Sequence, residues 1–366
     1  LFTQVEQLNK TALKAHGLDK SGHLYKVNSF DFHRFEDTIK LTDDPDYNQT
    51  AFEGMLEIKG DSDHTKLIEM LDALNDESQK IDDVLDTYFD TENLVYWLAF
   101  QILTGNCDTQ NRNCYLYSPL NSNTWYFLDW DNDGMLRKLE LSLTGFSDYA
   151  SWERGVSNYW GNVLFNRALR SKSFRSELDR AVKDLRSYLT ETRLTKMIKH
   201  YREVTESLVF ASPDINNLPV TKDQYEQIAA AIPSEIEENY KSFRESFKKP
   251  MPFYIGVPQI DNGKLRINWD ASYDFEARDI RYTVELASDY AISDVVFKAE
   301  DVLLPEVTCD APDTGQYFVR VRATNSDGYT QDAFDYYVTD DGKHYGMKCF
   351  YVQDGGKVVE DTYEEG

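Results

Sequence analysis

The sequence predicts an α+β protein in which a mostly helical part, residues 1–248, is followed by an all-β sandwich. Three observations predict it. From Asp61 onward, interrupted by one hairpin, apolar residues recur three and four apart, the period of helices that bury one face. At KKPMPF, residues 248–253, that pattern breaks on two prolines. Beyond it come short alternating runs, KLRINWD, RYTVELAS, YFVRVRATN and DAFDYYVT, at the close spacing of a sandwich.

The first 60 residues mix apolar runs (HLYKVNSF, AFEGMLEIKG) with turn residues (DKSGH, DDPDYN) and read as strands and loops. HTKLIEMLDALND and IDDVLDTYFD then read as helices. DTENLVYWLAFQILTG is a third, with Asp90 as its N-cap, Gly105 as its stop, and Leu94, Leu98 and Ile102 on a buried face. NCYLYSP and NTWYFLDW, joined by the turn-prone SPLNSN, form a hairpin. Three long helical patterns follow, ending in DQYEQIAAAIPSEIEENYKSFRESF. After the sandwich, MKCFYVQDGGKVVED in the segment 341–366 reads as a DG-turned hairpin, where Cys309 could meet Cys349.

At 366 residues the chain is long enough for two or three domains, and 41% hydrophobic with 14% aromatic residues makes it globular. The 64 acidic against 39 basic residues give a formal charge of -25, which repels phosphate backbones and argues against nucleic acid as a partner. The same balance suits divalent cations or basic substrate segments. No run of 18 apolar residues exists, so no membrane span is predicted. Cys107, Cys114, Cys309 and Cys349 form no CxxC pair, and the six histidines form no HxxxH or HExxH. G-x-S-x-G and P-loop patterns are missing, which disfavours a serine hydrolase or a Walker NTPase. The chain opens on Leu1 without a signal peptide and reads as a processed product or an excised fragment.

The chemistry-bearing stretch is residues 104–134, TGNCDTQNRNCYLYSPLNSNTWYFLDWDNDG. Asp108 and Asn113 stand five residues apart at the mouth of a loop after a buried helix, and Asp131 with Asp133 follows across the hairpin. That is the layout of a protein-kinase catalytic core, in which D-x4-N supplies a base and a metal-binding amide and the later Asp holds the metal. A carboxylate is needed to orient and deprotonate a hydroxyl, and hard oxygen donors to hold Mg2+.

These residues resemble, more specifically, the spore-coat-protein-H-like (CotH) kinase family, with its pattern N-x-D-x4-N-x-Y-L-Y, a turn, then W-x-x-x-x-W-D-x-D. Here the pattern runs Asn106, Asp108, Asn113, Tyr115, Leu116, Tyr117, then Trp125, Trp130, Asp131 and Asp133. VEQLNKTALKAHGLDKSGHLYKV looks like the family's hinge segment, helix and LYK strand, and the resemblance covers roughly residues 1–250. It implies an atypical kinase fold, with Asp108 as catalytic base, Asn113 and Asp131 as metal ligands and Asp133 as a second acidic partner. It also implies ATP with Mg2+ or Mn2+, the adenine lying near Glu6 and Leu8; Lys26 either faces the phosphates or is a solvated strand residue, the second being the simpler reading. An amino-terminal lobe should precede the hinge; this chain begins almost at the hinge and shows no Gly-rich loop, so that lobe is incomplete in this sequence or the pocket is degenerate. The substrate implied is a protein with Ser or Thr acceptors, and the setting the outside of a bacterial cell. Residues 249–340 resemble a fibronectin type III domain, with Trp269, Tyr282 and Tyr317 at its marker positions, a module suited to cell-surface neighbours.

Other readings stand beside this one. DWDNDGMLRKLE, residues 129–140, fits an EF-hand loop through Asp129, Asp131, Asp133, Gly134 and Glu140, with Leu136 at the hydrophobic eighth position, so Ca2+ is an alternative cation and a non-catalytic surface module an alternative function. Against it, TWYFLDW reads as a strand where an EF-hand needs a helix. Asp108 and Asp131 flanking a sugar, as in a glycosidase, is another alternative. The plainest is that these acids only cap turns.

Overall fold

An antiparallel sheet of four strands in the order β2-β1-β3-β4 organises the first part of the chain. β1 (His23–Val27) lies between β2 (Leu56–Ile58) and β3 (Cys114–Ser118), and β4 (Tyr126–Asp129) closes the far edge. Register divides the side chains between two faces, because successive residues of a strand point opposite ways. Tyr25, Leu116 and Phe127 are aligned on one face; Lys26, Tyr115 and Leu128 are aligned on the other. On that second face Tyr115 and Tyr117 pack with Leu13 and Leu24, and Leu8, Leu128 and Trp130 lean on the same cluster.

The computed structural model describes residues 5–145, 150–340 and 342–361. The chain divides into two units, Leu1–Ser147 with Tyr159–Phe243, and Asp148–Asn158 with Arg244–Gly366. Around the sheet of the first unit run α1 (Lys10–Ala15), α2 (Gln49–Met55), α3 (Thr65–Asn75), α4 (Ile81–Tyr88) and α5 (Thr91–Thr104). They are followed by α6 (Lys138–Leu143), α7 (Val163–Arg170), α8 (Lys172–Tyr188), α9 (Glu191–Val209) and α10 (Lys222–Ser246). Several start where a side-chain oxygen accepts an early backbone N–H: Asn9, Asn48, Asp90, Asn162, Ser171 and Thr190 all cap in this way. The cap at Asn48 corrects the expectation of strand through AFEGMLEIKG. Its Oδ1 accepts from the Ala51 N–H at 3.1 Å and starts α2, so only Leu56–Ile58 is extended.

α5 begins on Asp90 and ends on Gly105 at φ 66°, ψ 26°, as the sequence predicts. Gly105 is required there twice over. The left-handed turn disfavours a side chain, and a Cβ would fall 2.6 Å from the Asn239 amide, which donates to the Leu103 carbonyl at 3.0 Å.

The second unit is β-rich. Its strands are β5 (Gln259–Asp261), β6 (Lys264–Asn268), β7 (Ile280–Ala287), β8 (Val295–Val302), β9 (Glu306–Asp310) and β10 (Gly315–Asn325). The remainder are β11 (Thr330–Asp332), β12 (Tyr336–Thr339), β13 (Gly342–Tyr345), β14 (Met347–Gln353) and β15 (Lys357–Glu360). One sheet runs β15-β14-β10-β7-β8 with β11 added to β10, a second β5-β6-β9, and β12 pairs with β13. Trp269, Leu265, Ile267, Tyr282, Val284, Val319, Val321 and Phe350 fill the core, the Trp269 and Tyr282 rings meeting edge to face at 5.1 Å. The hairpin after residue 340 is there, and β14 is a full partner of β10 rather than an appendage. Cys309 and Cys349 are both free thiols: Cys309 packs against the main core cluster and Cys349 lies in a separate cluster with Ala287, Ile292, Phe318 and Met347, so the pairing considered from sequence does not form.

Candidate functional site

The loop that follows α5 is fixed from several sides before any charged group is considered. The Asn106 N–H donates to the Gln101 carbonyl at 3.0 Å, and the Tyr159 hydroxyl donates to the Asn106 carbonyl at 3.2 Å and lies 2.8 Å from the Thr109 hydroxyl. Asn162 donates to the Gln110 carbonyl at 2.8 Å, and the Phe30 N–H to the Asn111 carbonyl at 2.7 Å. Held by buried donors and acceptors, this loop presents Asp108 with 55% of its side chain open.

The second loop arrives from β4. Because Cys114 is paired with Asp129, the hairpin brings Asn113 level with the residues just past β4. The chain then turns through Asp131 at φ 55°, ψ 55°, and a short 3-10 turn, Asn132–Gly134. Gly134 closes the two loops on each other: a Cβ there would meet Asn106 Oδ1 at 2.7 Å and Asp108 Cβ at 3.5 Å. Beyond it the Leu136 N–H donates to the Thr104 carbonyl at 2.8 Å, pinning the outgoing chain to the end of α5.

Asp108, Asn113, Asp131 and Asp133 are therefore neighbours. Asn113 Nδ2 donates to Asp108 Oδ2 at 2.8 Å and to its carbonyl at 3.0 Å. Arg112 Nε lies 3.8 Å from Asp108 Oδ1. Partial burial raises the Asp108 carboxyl above the usual range; Arg112 and Asn113 pull it down, and the nearby Asp133 and Asp131 charges push it further up. Asp129 keeps an edge open to solvent, yet the surrounding protein also raises its carboxyl, with the Gln101 hydrogen bond opposing.

Of the three residues that the resemblance associates with the nucleotide, Lys26 and Leu8 lie with the aromatic cluster on the second face of the sheet and the Glu6 side chain does not. Lys26, aligned with Tyr115, holds its Nζ 5.7 Å from the centre of the Trp130 ring, and Trp130 stands edge-on to Tyr115 at 5.4 Å. Leu8 packs into that same aromatic cluster. The Glu6 side chain turns elsewhere, to His16 Nε2 at 2.9 Å, leaving only its backbone for the hinge role. Sequence reasoning missed Arg112 and Gln101, and read Gly134 only as the glycine of an EF-hand loop. Gln101 is the one polar side chain among the apolar residues through the middle of α5, and that oddity was its only signal.

Among the described residues no three His, Cys, Asp or Glu side chains converge as a ready metal centre. The donor set fits a cation that arrives with phosphates, since Mg2+ takes one or two carboxylates and completes its shell with phosphate and water oxygens. It fits an EF-hand poorly. The element entering the loop is the strand β4, and Glu140, which should close the loop as a bidentate ligand, sits in α6 with Oε1 and Oε2 accepting from Arg137 at 2.9 and 3.0 Å. Asp129, the first position of that loop, accepts from Gln101 at 2.9 Å.

A family model described as CotH kinase protein matches residues 1–243, and the chain belongs to that family. It is thereby a kinase-like protein. Among solved structures it is similar to the twitchin kinase region from C. elegans at 18% identity and a TM-score of 0.20, over 26% of this chain and 20% of that one, too slight a likeness to bear on the fold. The comparison with curated proteins returned no match. Among the described residues no helix is long and apolar enough to cross a membrane.

Proposed function

We propose that the chain is an atypical protein kinase that transfers the γ-phosphate of ATP to Ser or Thr hydroxyls of a secreted or surface protein, with a fibronectin type III-like domain attached. The observation that carries this reading is the closure of the Asp131–Gly134 turn on Asn106 and Asp108, which sets two separately encoded acidic loops against each other. Family membership supports the kinase class. The Trp269–Tyr282 pair, and the Tyr282 hydroxyl accepting from the Ser272 N–H at 2.8 Å, support the fibronectin-like assignment.

In this reading Asp108 orients the acceptor hydroxyl and takes its proton, and its raised pKa shifts it toward a stronger base. Asn113, donating to Asp108, fixes the carboxylate's orientation, and its own carbonyl oxygen would serve as a donor to the metal. Asp131 and Asp133 are the acidic partners of the cation. Mg2+ or Mn2+ bound with ATP supplies charge neutralisation across the transferring phosphate. Lys26, its ammonium over the Trp130 ring, would supply positive charge for the phosphates, and Leu8 with Tyr115 an apolar wall for the base. Acceptors set among basic residues suit the net charge of -25.

Calorimetry of ATP with Mg2+ or Mn2+ on the wild type and Asp131→Ala, with a transfer assay on basic and acidic Ser/Thr peptides, tests it. Metal-dependent ATP binding that vanishes in the variant is the expected result. Binding that survives Asp131→Ala, or needs no cation, removes the site assignment.

A further inference from the structure

Gln101 is completely buried, yet every polar atom of its side chain is used. Its Nε2 donates to Asp129 Oδ1 at 2.9 Å and, more weakly, to Asn132 Oδ1 at 3.4 Å; its Oε1 accepts from Asn106 Nδ2 at 3.0 Å. Asn106 stands two residues before Asp108, and Asp129 and Asn132 bracket Asp131. Asn106 Oδ1 in turn accepts from the Asp108 N–H at 3.4 Å, so one chain of bonds runs from the proposed base loop through α5 to the proposed metal loop. A buried amide persists only where its donors and acceptor are met, and one that meets both loops at once fixes their separation.

The geometry points to Gln101 as a positioning residue: its side-chain amide sets the spacing between Asp108 and Asp131, and touches neither substrate nor cofactor. The assignment rests on the kinase reading above. The need is for an amide in particular. Asn106 demands an acceptor and Asp129 a donor, so a carboxylate would repel Asp129, and a thioether gives Asp129 no donor and Asn106 only a weak acceptor. Misplacing reacting groups by about 1 Å can slow a reaction about 100-fold, which sets the scale of the expected loss.

A second tether from the same helix supplies the control. Asn93 binds α5 to β4 through Phe127, donating to its carbonyl at 3.1 Å and accepting from its N–H at 2.7 Å, one strand length from the acids. Gln101→Met and Asn93→Ala are compared with wild type by hydrogen exchange and by steady-state transfer. In Gln101→Met, residues 106–109 and 130–135 are expected to lose protection together, and kcat to fall about 100-fold with a much smaller change in the KM for the acceptor peptide. Asn93→Ala is expected to lower the melting temperature while leaving both loops protected and kcat within about threefold of wild type. Unchanged protection of the two loops in Gln101→Met overturns the positioning role, as does a fall in kcat no larger than that in Asn93→Ala. Wild-type protein that transfers no phosphate overturns the kinase reading instead, and the exchange comparison still decides whether Gln101 couples the loops.

Discussion

In the second unit Asp274 buries all but 1% of its side chain and is bound by Arg278, by Asn325 at 2.9 Å and by the backbone N–H groups of Glu276 and Arg278. In the first unit Asp108 leaves 55% of its side chain open and faces Asp131 and Asp133. Burial alone would raise both carboxyls. At Asp274 the hydrogen bonds outweigh it and the pKa falls; at Asp108 the neighbouring acids add to it and the pKa rises. One acid is arranged to hold structure, the other held in a position that costs stability. Acids crowded together without full compensation are what a chain tolerates where charge has work to do on a ligand.

The sharpest way to break this contrast is to remove each acid. Asp108→Asn is expected to slow phosphate transfer by about 100- to 10,000-fold, the range for losing a general base. Its stability in a urea titration should stay within about 0.5 kcal/mol of wild type, because an exposed carboxylate facing like charges holds little together. A comparable loss of stability and of activity would mean that Asp108 is structural.

Asp274→Ala should do the reverse. It leaves the Arg278 guanidinium, 11% exposed, with Glu276 and Asp327 as its remaining partners, and takes the acceptor from the Glu276 and Arg278 N–H groups and from Asn325, a loss of about 1–3 kcal/mol. ATP binding should be unchanged. The pH dependence follows the same opposition. The folded Asp274 carboxyl titrates below its ordinary 3.8, so its stabilisation is full above that value and is lost as pH falls through the folded pKa. Asp108 titrates above 3.8, so its penalty is present at neutral pH and is relieved as pH falls. Unfolding of the two units followed by separate probes below pH 5 would show these contributions with opposite signs.

His64 gives the first unit its own acid limb. It is buried between the hydroxyls of Tyr25 at 2.8 Å and Tyr47 at 3.2 Å, with the Phe52 ring stacked at 4.0 Å. Burial lowers it from 6.5 to about 4, so the neutral imidazole is the folded form. Its contribution is full above pH 6.5 and declines as pH drops toward 4, by about 3 kcal/mol over that interval. Melting curves of wild type and His64→Gln between pH 7 and 4.5 should converge at the acid end. Parallel curves would show that another group sets the limb.

How much of this was legible depends on how local each feature is. Asp108, Asn113, Asp131 and Asp133 stood out because a hairpin carries their spacing directly into space, and α5 because its cap and its glycine stop are both sequence signals. The turn-capping alternative misses what Gly134 does, since its approach to Asn106 is a contact between segments about 28 residues apart. Gln101 was illegible for the same reason: one amide in an apolar helix acquires meaning only when three loop residues close around it. β14 read as a tail because its partner β10 lies some 30 residues upstream, and sheet order beyond neighbouring strands is not encoded in a local pattern.

The smallest expected effect bears on the calcium alternative, and it asks whether a paired acid of the first unit behaves like Asp274 or like Asp108. Glu140 accepts two hydrogen bonds from Arg137 on a partly exposed surface, an arrangement worth about 0–1 kcal/mol. If the 129–140 loop were an EF-hand, Glu140 would be its bidentate ligand, and Glu140→Gln would abolish Ca2+ binding. With the carboxylate already committed to Arg137 and the incoming element a strand, Glu140→Gln is instead expected to leave divalent-cation affinity within about twofold by calorimetry, and stability within about 1 kcal/mol. A loss of Ca2+ binding in this one variant, with Asp108→Asn silent, would move the chemistry of the acidic loop from phosphate transfer to ion storage.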